Sequence, residues 1–102
     1  MYQDGDILQG YKHKYVVLGI YKEFSSLSNI SYMLYPDNEN LFEQKLNPLA
    51  LSTVTFTDMR VIGRKNKKEL ELWIMKNKML SGSLPFISVE QYVKNRHNKC
   101  RI

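Results

Sequence analysis

The sequence predicts a mainly β fold with one or two helices (α+β), in which about five short strands form a small, partly open β-barrel and helical segments follow. Three observations support this. Runs of β-branched and aromatic residues recur through the first two thirds of the chain, separated by turn-forming Gly, Pro, Asn and Asp. Gly-containing bends of the kind that lets a sheet curl accompany these runs. Strong helix formers with capping signals occupy the last third.

The strands are expected, in chain order, at residues 7–9, 15–21, 30–35, 52–57 and 60–63. The first follows the turn-forming residues 4–6, and residues 12–14 are short enough to join it to the second as a hairpin. The third stops at Pro36, and the fourth alternates apolar residues with threonines, which favours a strand with one buried face.

Three segments carry helical signals. Asn40 and Glu43 resemble a capping box for a short helix over residues 41–46. Residues 68–80 alternate in polarity at first, as in a strand, but the spacing of Leu70, Trp73 and Ile74 and a cap at Asn66 favour a helix. Ser88 and Gln91 form a second capping-box pattern, which opens a short helix into the basic tail, residues 94–101.

A chain of 102 residues is expected to form a single domain, 1–102. It divides into a β-barrel core (1–64), a helix (65–80) and a loop with short helix and basic tail (81–102). The longest apolar stretches, such as residues 15–21, are far below the ~20 residues of a membrane helix, so no membrane partner is expected. The single cysteine, Cys100, and the lack of a secretory signal fit a reducing cytoplasm.

No cofactor or metal is expected. His13 and His97 are far apart in the chain and neither lies near the cysteine, which is poor spacing for a zinc site. The glycines match neither phosphate-binding fingerprint. The sequence therefore favours a non-catalytic protein and identifies no reaction.

Charge is distributed unevenly along the chain. Residues 1–59 carry four Lys against seven acids, a net of −3, whereas residues 60–102 carry eleven Lys and Arg against three Glu, a net of +8. Such asymmetry is typical of a surface that meets nucleic acid or an acidic protein. The candidate contact residues are the cations of the turn and of the tail: Arg60, Arg64, Lys65, Lys67, Lys68, Lys94, Arg96, Lys99 and Arg101.

Aromatic side chains near these cations would favour single-stranded nucleic acid, because bases stack on them. The candidates are Tyr11, Tyr21, Tyr35 and Tyr92. His13 between Lys12 and Lys14 is the one cluster that contains a base and cationic groups, the inventory of metal-independent RNA cleavage.

Some of these segments resemble the PemK/MazF group of toxin ribonucleases. The matching residues are Gly5-Asp6-Ile7, then 15–20, and Val54 through residues 60–64 into 68–72, so that the likeness covers residues 5–80 loosely. It implies an SH3-like barrel and an endoribonuclease activity. The Arg-Pro pair of that group is replaced here by Lys14-Tyr15, and no catalytic residue matches, so His13, Lys12 and Lys14 would have to act as substitutes.

Three functions follow from these patterns. The first is a small basic domain that contacts RNA or DNA through its C-terminal half, with RNA favoured over DNA. The second is a phage- or plasmid-type inhibitor or adaptor that docks on an acidic host protein, with Phe86, Tyr92 or Trp73 as its apolar anchor. The third is a toxin-like endoribonuclease. The sequence leaves the oligomeric state open, with a homodimer among the alternatives.

Overall fold

The computed structural model describes residues 1–22, 29–54 and 58–99, the last three by their backbone alone. Its strands are β1 (Asp6–Gln9), β2 (Lys14–Tyr21), β3 (Tyr32–Pro36), β4 (Ser52–Val54), β5 (Arg60–Arg64) and β6 (Phe86–Ile87). Its α-helices are α1 (Lys67–Ser81) and α2 (Val89–Lys99), and two 3₁₀ helices span Leu41–Glu43 and Pro48–Ala50.

All strand pairs are antiparallel. The strand order is β4-β3-β2-β1-β5, and β6 pairs with the last two residues of β2, at Ile20 and Tyr21. The described part of the chain therefore forms an open six-stranded sheet with two α-helices. This confirms the predicted mainly β, α+β class with a partly open barrel, with β6 as a strand that the sequence did not predict.

β2, the longest strand, pairs with β1, β3 and β6. Its pairing with β3 shifts register between Val17 and Gly19. A side chain at Gly19 would overlap the carbonyl oxygen of Ile87, so glycine is what permits β6 to approach. β2 can therefore pair with β1 in its first half and with β6 at its end.

Both faces of the sheet are covered. On one face, α1 and the 3₁₀ region pack on alternate residues of β2 and β3; the buried residues there are Val16, Leu18, Met33, Tyr35, Leu41, Leu70, Trp73 and Phe86. On the other face, α2 packs on a second cluster that consists of Leu8, Val17, Ile20, Tyr32, Leu34 and Val89. The edges of the sheet, and β5 in particular, are left to carry exposed side chains.

The helical predictions have mixed outcomes. Residues 68–80 are helical, and the Asn66 side chain accepts hydrogen bonds from the backbone N–H groups of Lys68 and Glu69, as a cap should. The cap at Ser88 is also confirmed, because its Oγ accepts from the Gln91 N–H at 3.0 Å.

Of the strand predicted at 52–57, residues 52–54 are confirmed and 55–57 lie outside the described residues.

The predicted helix over residues 41–46 is wrong in length and in its cap. Only Leu41–Glu43 is helical, and the Asn40 side chain caps no N–H group of that helix. The backbone N–H of Asn40 instead donates a hydrogen bond to Oδ1 of Asn38. Tertiary bonds explain the early end. The Gln44 carbonyl accepts from the Trp73 indole, and the Leu46 N–H donates to Oδ1 of Asn77, so α1 takes over the groups that a longer helix would use.

Candidate nucleic-acid interface

The β1–β2 hairpin and β5 place two predicted cations in one row. Gln9 lies opposite Lys14 in β2 and opposite Arg60 in β5, so the three residues are neighbours across three strands. Residues directly opposite each other project from the same face, and adjacent strands lie about 4.8 Å apart, which separates the Lys14 and Arg60 backbones by about 10 Å. Both side chains are exposed. This row joins a cation from the predicted catalytic cluster to one from the predicted binding cluster.

The hairpin turn presents Tyr11 to solvent. The turn is closed by a hydrogen bond from the Gly10 N–H to the His13 carbonyl at 2.9 Å, and a side chain at Gly10 would come within 2.9 Å of that same oxygen. Within this turn the Tyr11 side chain is 98% exposed. A ring held beside Lys12 and Lys14 with both faces in water is available for stacking.

The other three candidate tyrosines are less accessible. Tyr35 is buried in the core under α1, with its ring edge-on to Trp73. Tyr21 and Tyr92 are half-buried, pack against the two core clusters and have interaction partners. The structure therefore singles out Tyr11.

A second group of cations meets at the other end of β5. Arg64 at the end of that strand, Lys67 at the start of α1 and Lys94 in α2 line one cleft of about 420 Å³. The first turns of α2 therefore lie beside the turn between β5 and α1. Gln3, Asp4 and Glu90 also line the cleft, so its charge is mixed.

Ion pairs reduce the positive charge of this cleft. Arg64 Nε donates to the buried Asp6 carboxylate at 2.7 Å. Lys67 donates to Glu90 at 2.9 Å, and the Lys94 ammonium lies 3.5 Å from the same carboxylate. The Lys67 contact lowers the pKa of Glu90 and, reciprocally, raises the pKa of Lys67. The three cationic side chains nevertheless remain more than half exposed, and Arg64 keeps its terminal nitrogens outside the Asp6 bond.

The cations near the hairpin differ from those of the cleft in their ion pairing. Among the ion pairs between described residues, none involves Lys12, Lys14 or Arg60. The hairpin end of β5 is thus the less neutralised of the two groups.

The remaining predicted contact residues are dispersed. Lys65 is half-buried, and its Nζ lies 2.8 Å from the Asp37 carboxylate and 5.9 Å from the centre of the Phe42 ring. These contacts indicate that Lys65 stabilises the fold. Lys68 is exposed at the start of α1, and Arg96 in α2 is half-buried. The Lys99 side chain and all of Arg101 lie outside the described residues.

His13 is exposed in the hairpin turn, with its ring edge-on to Tyr15 at 6.4 Å between centroids. None of the described hydrogen bonds or ion pairs joins its imidazole to a carboxylate. The described side chains also contain no group of three or more His, Cys, Asp or Glu that could hold a metal ion.

Two features of the surface were not predicted from the sequence. Asp4 accepts hydrogen bonds from the N–H groups that open α2, although 85 residues separate it from Val89, and no local pattern signals such a contact. The outer face of α1 exposes Leu72, Met75 and Met79. Their spacing of three and four residues is visible in the sequence, but a helix shows the same spacing in its buried stripe, so the pattern alone does not reveal an exposed apolar face.

Comparisons with known protein families, curated proteins and solved structures found no match. In the described part of the chain, neither helix combines the length and the apolar character that a membrane crossing requires.

Proposed function

We propose that this protein is a non-catalytic binding domain for single-stranded nucleic acid, which it contacts through the β1–β2 hairpin and the exposed strand β5. The observation that carries the proposal is Tyr11, which is fully exposed in the turn that joins Gln9 to Lys14 and so lies next to the row that contains Lys14 and Arg60. A stacking ring next to exposed cations is the combination by which proteins hold single strands without reading their sequence.

Each part of this surface has a separate role. The Tyr11 ring stacks on one base, and the Lys14 and Arg60 side chains contact the phosphates on either side of it. β5, an edge strand, then leads to the second group at its other end. A register shift in the β1–β5 pairing puts Arg60 opposite Gln9 and Arg64 opposite Asp6, so the two arginines project from opposite faces and the nucleic acid would pass around the β5 edge. Arg64, Lys67 and Lys94 extend the contact at that end, more weakly because of Asp6 and Glu90.

Fluorescence anisotropy with a labelled single-stranded RNA of about 12 nucleotides tests the proposal, with single-stranded DNA and duplex RNA for comparison. We expect both single strands to bind and the duplex to bind less well. Tyr11→Ala should weaken binding by about 1–3 kcal/mol. Lys14→Ala and Arg60→Ala should each weaken binding. Each should also reduce the slope of log affinity against log salt concentration by about one, as expected for the loss of one phosphate contact.

Lys45→Ala is the matched control. Lys45 is also exposed and its loss changes the net charge by the same amount, but it lies between the two 3₁₀ helices, outside the hairpin and β5. The proposal fails if Tyr11→Ala and Lys14→Ala bind the RNA as tightly as Lys45→Ala, or if the wild-type protein binds none of the three probes at low salt.

The ribonuclease alternative rests on His13 and on the resemblance to the PemK/MazF group. Incubation of the same labelled RNA with the protein separates the two readings. Under the binding proposal the RNA stays intact and His13→Ala is indistinguishable from wild type, whereas RNA cleavage that His13→Ala abolishes would establish the toxin-like activity.

The adaptor alternative needs an apolar anchor among the cations. Phe86 and Trp73, two of the anchors expected from the sequence, are 4% and 3% exposed and face the core, and Tyr92 is half-buried. These three residues are therefore poor candidates for an exposed anchor. A reducing cytoplasm, which suits the single cysteine, is the compartment we propose for the binding function.

A further inference from the structure

The outer face of α1 is apolar where it meets water. Leu72, Met75 and Met79 are 65%, 58% and 82% exposed, and Leu80 at the end of the helix is 58% exposed. Single exposed apolar residues are ordinary, but contiguous ones mark interaction surfaces.

Helical spacing makes these residues contiguous. Leu72, Lys76 and Leu80 form one row at intervals of four residues, which begins at Lys68, and Met75 and Met79 form the adjacent row. Met75, Met79 and Leu72 project away from the buried side of the helix, which consists of Leu70, Trp73 and Asn77. Lys76 and Leu80 lie on the flank of the helix that Trp73 also borders. The face therefore alternates apolar side chains with lysines.

The helix is held rigidly from beneath. The Asn77 side chain accepts the Leu46 N–H at 2.8 Å and donates to the Trp73 carbonyl at 2.9 Å. The Trp73 indole donates to the Gln44 carbonyl. A partner would therefore meet a preformed face and would not have to order it first.

A depression of about 350 Å³ lies beside this face, where α1 meets the 3₁₀ helix Leu41–Glu43. Leu72, Trp73, Phe42, Glu69 and Lys76 line it. Its size and its two aromatic walls suit one apolar side chain of a partner, while thioether side chains at Met75 and Met79 can adapt to others.

The charge at this face indicates the partner. α1 contains four lysines and two glutamates, and among the described ion pairs Lys68 and Lys76 take part in none. An acidic partner would supply the missing counter-charges. A second copy would bring another α1 with the same excess of lysines, which is less favourable.

We propose that the exposed face of α1 docks an acidic amphipathic helix of a partner protein. The apolar side of that helix covers Leu72, Met75 and Met79, one side chain enters the depression, and its carboxylates contact Lys68 and Lys76. This surface is separate from the hairpin and β5, so the protein can carry a nucleic acid and a protein partner at once.

The probe is a designed amphipathic peptide with leucines on one face and glutamates on the other, compared with the same peptide carrying lysines. Trp73, the chain's one tryptophan, lines the depression and reports binding through its fluorescence. The acidic peptide should bind at least tenfold more tightly than the basic one. The double variant Leu72→Ser/Met79→Ser should lose at least tenfold in affinity, and Lys76→Glu should reverse the preference between the peptides.

Leu49→Ser is the matched control, because Leu49 is 94% exposed and lies in the 3₁₀ helix Pro48–Ala50. Cooperative urea unfolding of the double variant, with a midpoint close to that of wild type, shows that its fold is intact. Equal binding of both peptides, or equal binding by the double variant and Leu49→Ser, would overturn the proposal. So would a wild-type dimer in sedimentation that the double variant dissociates, since a second copy would then occupy the face.

Discussion

The Asp4 carboxylate caps a helix that begins at Val89. Its Oδ1 accepts the Val89 N–H at 2.7 Å, and its Oδ2 accepts the Glu90 N–H at 3.3 Å. Because Asp4 lies two residues before β1, this contact joins the start of the sheet to the start of α2. It also fixes one wall of the cleft that contains Arg64, Lys67 and Lys94.

Asp4→Ala should destabilise the protein. The substitution leaves two N–H groups at the start of α2 without their acceptor, and loss of a helix cap costs about 0.5–2 kcal/mol. Urea unfolding measures this change. Asp58→Ala is the control, because Asp58 is exposed and its loss changes the charge equally; equal destabilisation by the two would show that the cap is not the cause.

The pH dependence of stability should reveal the same carboxyl. Burial raises the pKa of Asp4 above its ordinary value of 3.8, against the two hydrogen bonds, which lower it. Between 3.8 and the folded-state value, the folded protein holds more protons than the unfolded chain, so this group makes stability fall as the pH rises. Asp4→Asn removes that contribution. Unfolding of both proteins across acidic pH should show the stability of wild type relative to Asp4→Asn decreasing through this window, and an increase would contradict the raised pKa.

Glu90 should act in the opposite direction. Lys67 lowers the pKa of Glu90 below its ordinary 4.5, so its contribution is present above that pH and is lost as the pH falls through the folded-state value. Glu90→Gln should therefore match wild type in strong acid and fall below it near neutrality. Both groups are exposed, so about 0.1 M salt should shrink the difference. An effect that salt leaves unchanged would point to packing and not to the ion pair.

Much of the fold could be predicted from the sequence because its local signals agree with its tertiary structure. The apolar run at 15–21 becomes the central strand, and Asn66 caps α1 where the helical spacing begins. The exceptions depend on contacts with residues that are distant in the chain. β6 is two residues long and exists because Gly19 admits it, and the helix after Asn40 ends early because Trp73 and Asn77 claim its polar groups.

The candidate interface was harder to predict, since charge along a sequence does not reveal pairing in space. Arg64 and Lys65 are neighbours in the turn, yet one faces Asp6 and the other Asp37. Lys14 and Arg60 are 46 residues apart in the chain and lie in one row because both pair with Gln9. Only the strand order brings them together.

Gly19→Ala should be strongly destabilising. A methyl group there would overlap the Ile87 carbonyl oxygen, a backbone atom that cannot turn aside, and overpacking of this kind costs about 1–3 kcal/mol. Unfolding in urea and loss of amide protection at the β2–β6 pairing would measure it. Gly82→Ala is an informative comparison, because nothing lies near a side chain there and its cost comes from a positive φ alone. Amide protection at Ile20 should fall in the first variant and be retained in the second.

Lys65→Met should separate structure from binding. The Lys65 ammonium lies 2.8 Å from Asp37 Oδ1, but that oxygen makes no hydrogen bond of good geometry, and both side chains are largely buried. Methionine keeps the contact with the Phe42 ring and leaves the carboxylate without its counter-charge, which should cost about 1–3 kcal/mol. RNA affinity should be unchanged after correction for the fraction folded, whereas Arg60→Met should weaken RNA binding and leave stability nearly unaltered. If Lys65→Met weakens RNA binding as much as Arg60→Met does, the nucleic acid lies over the turn and not along the hairpin and β5.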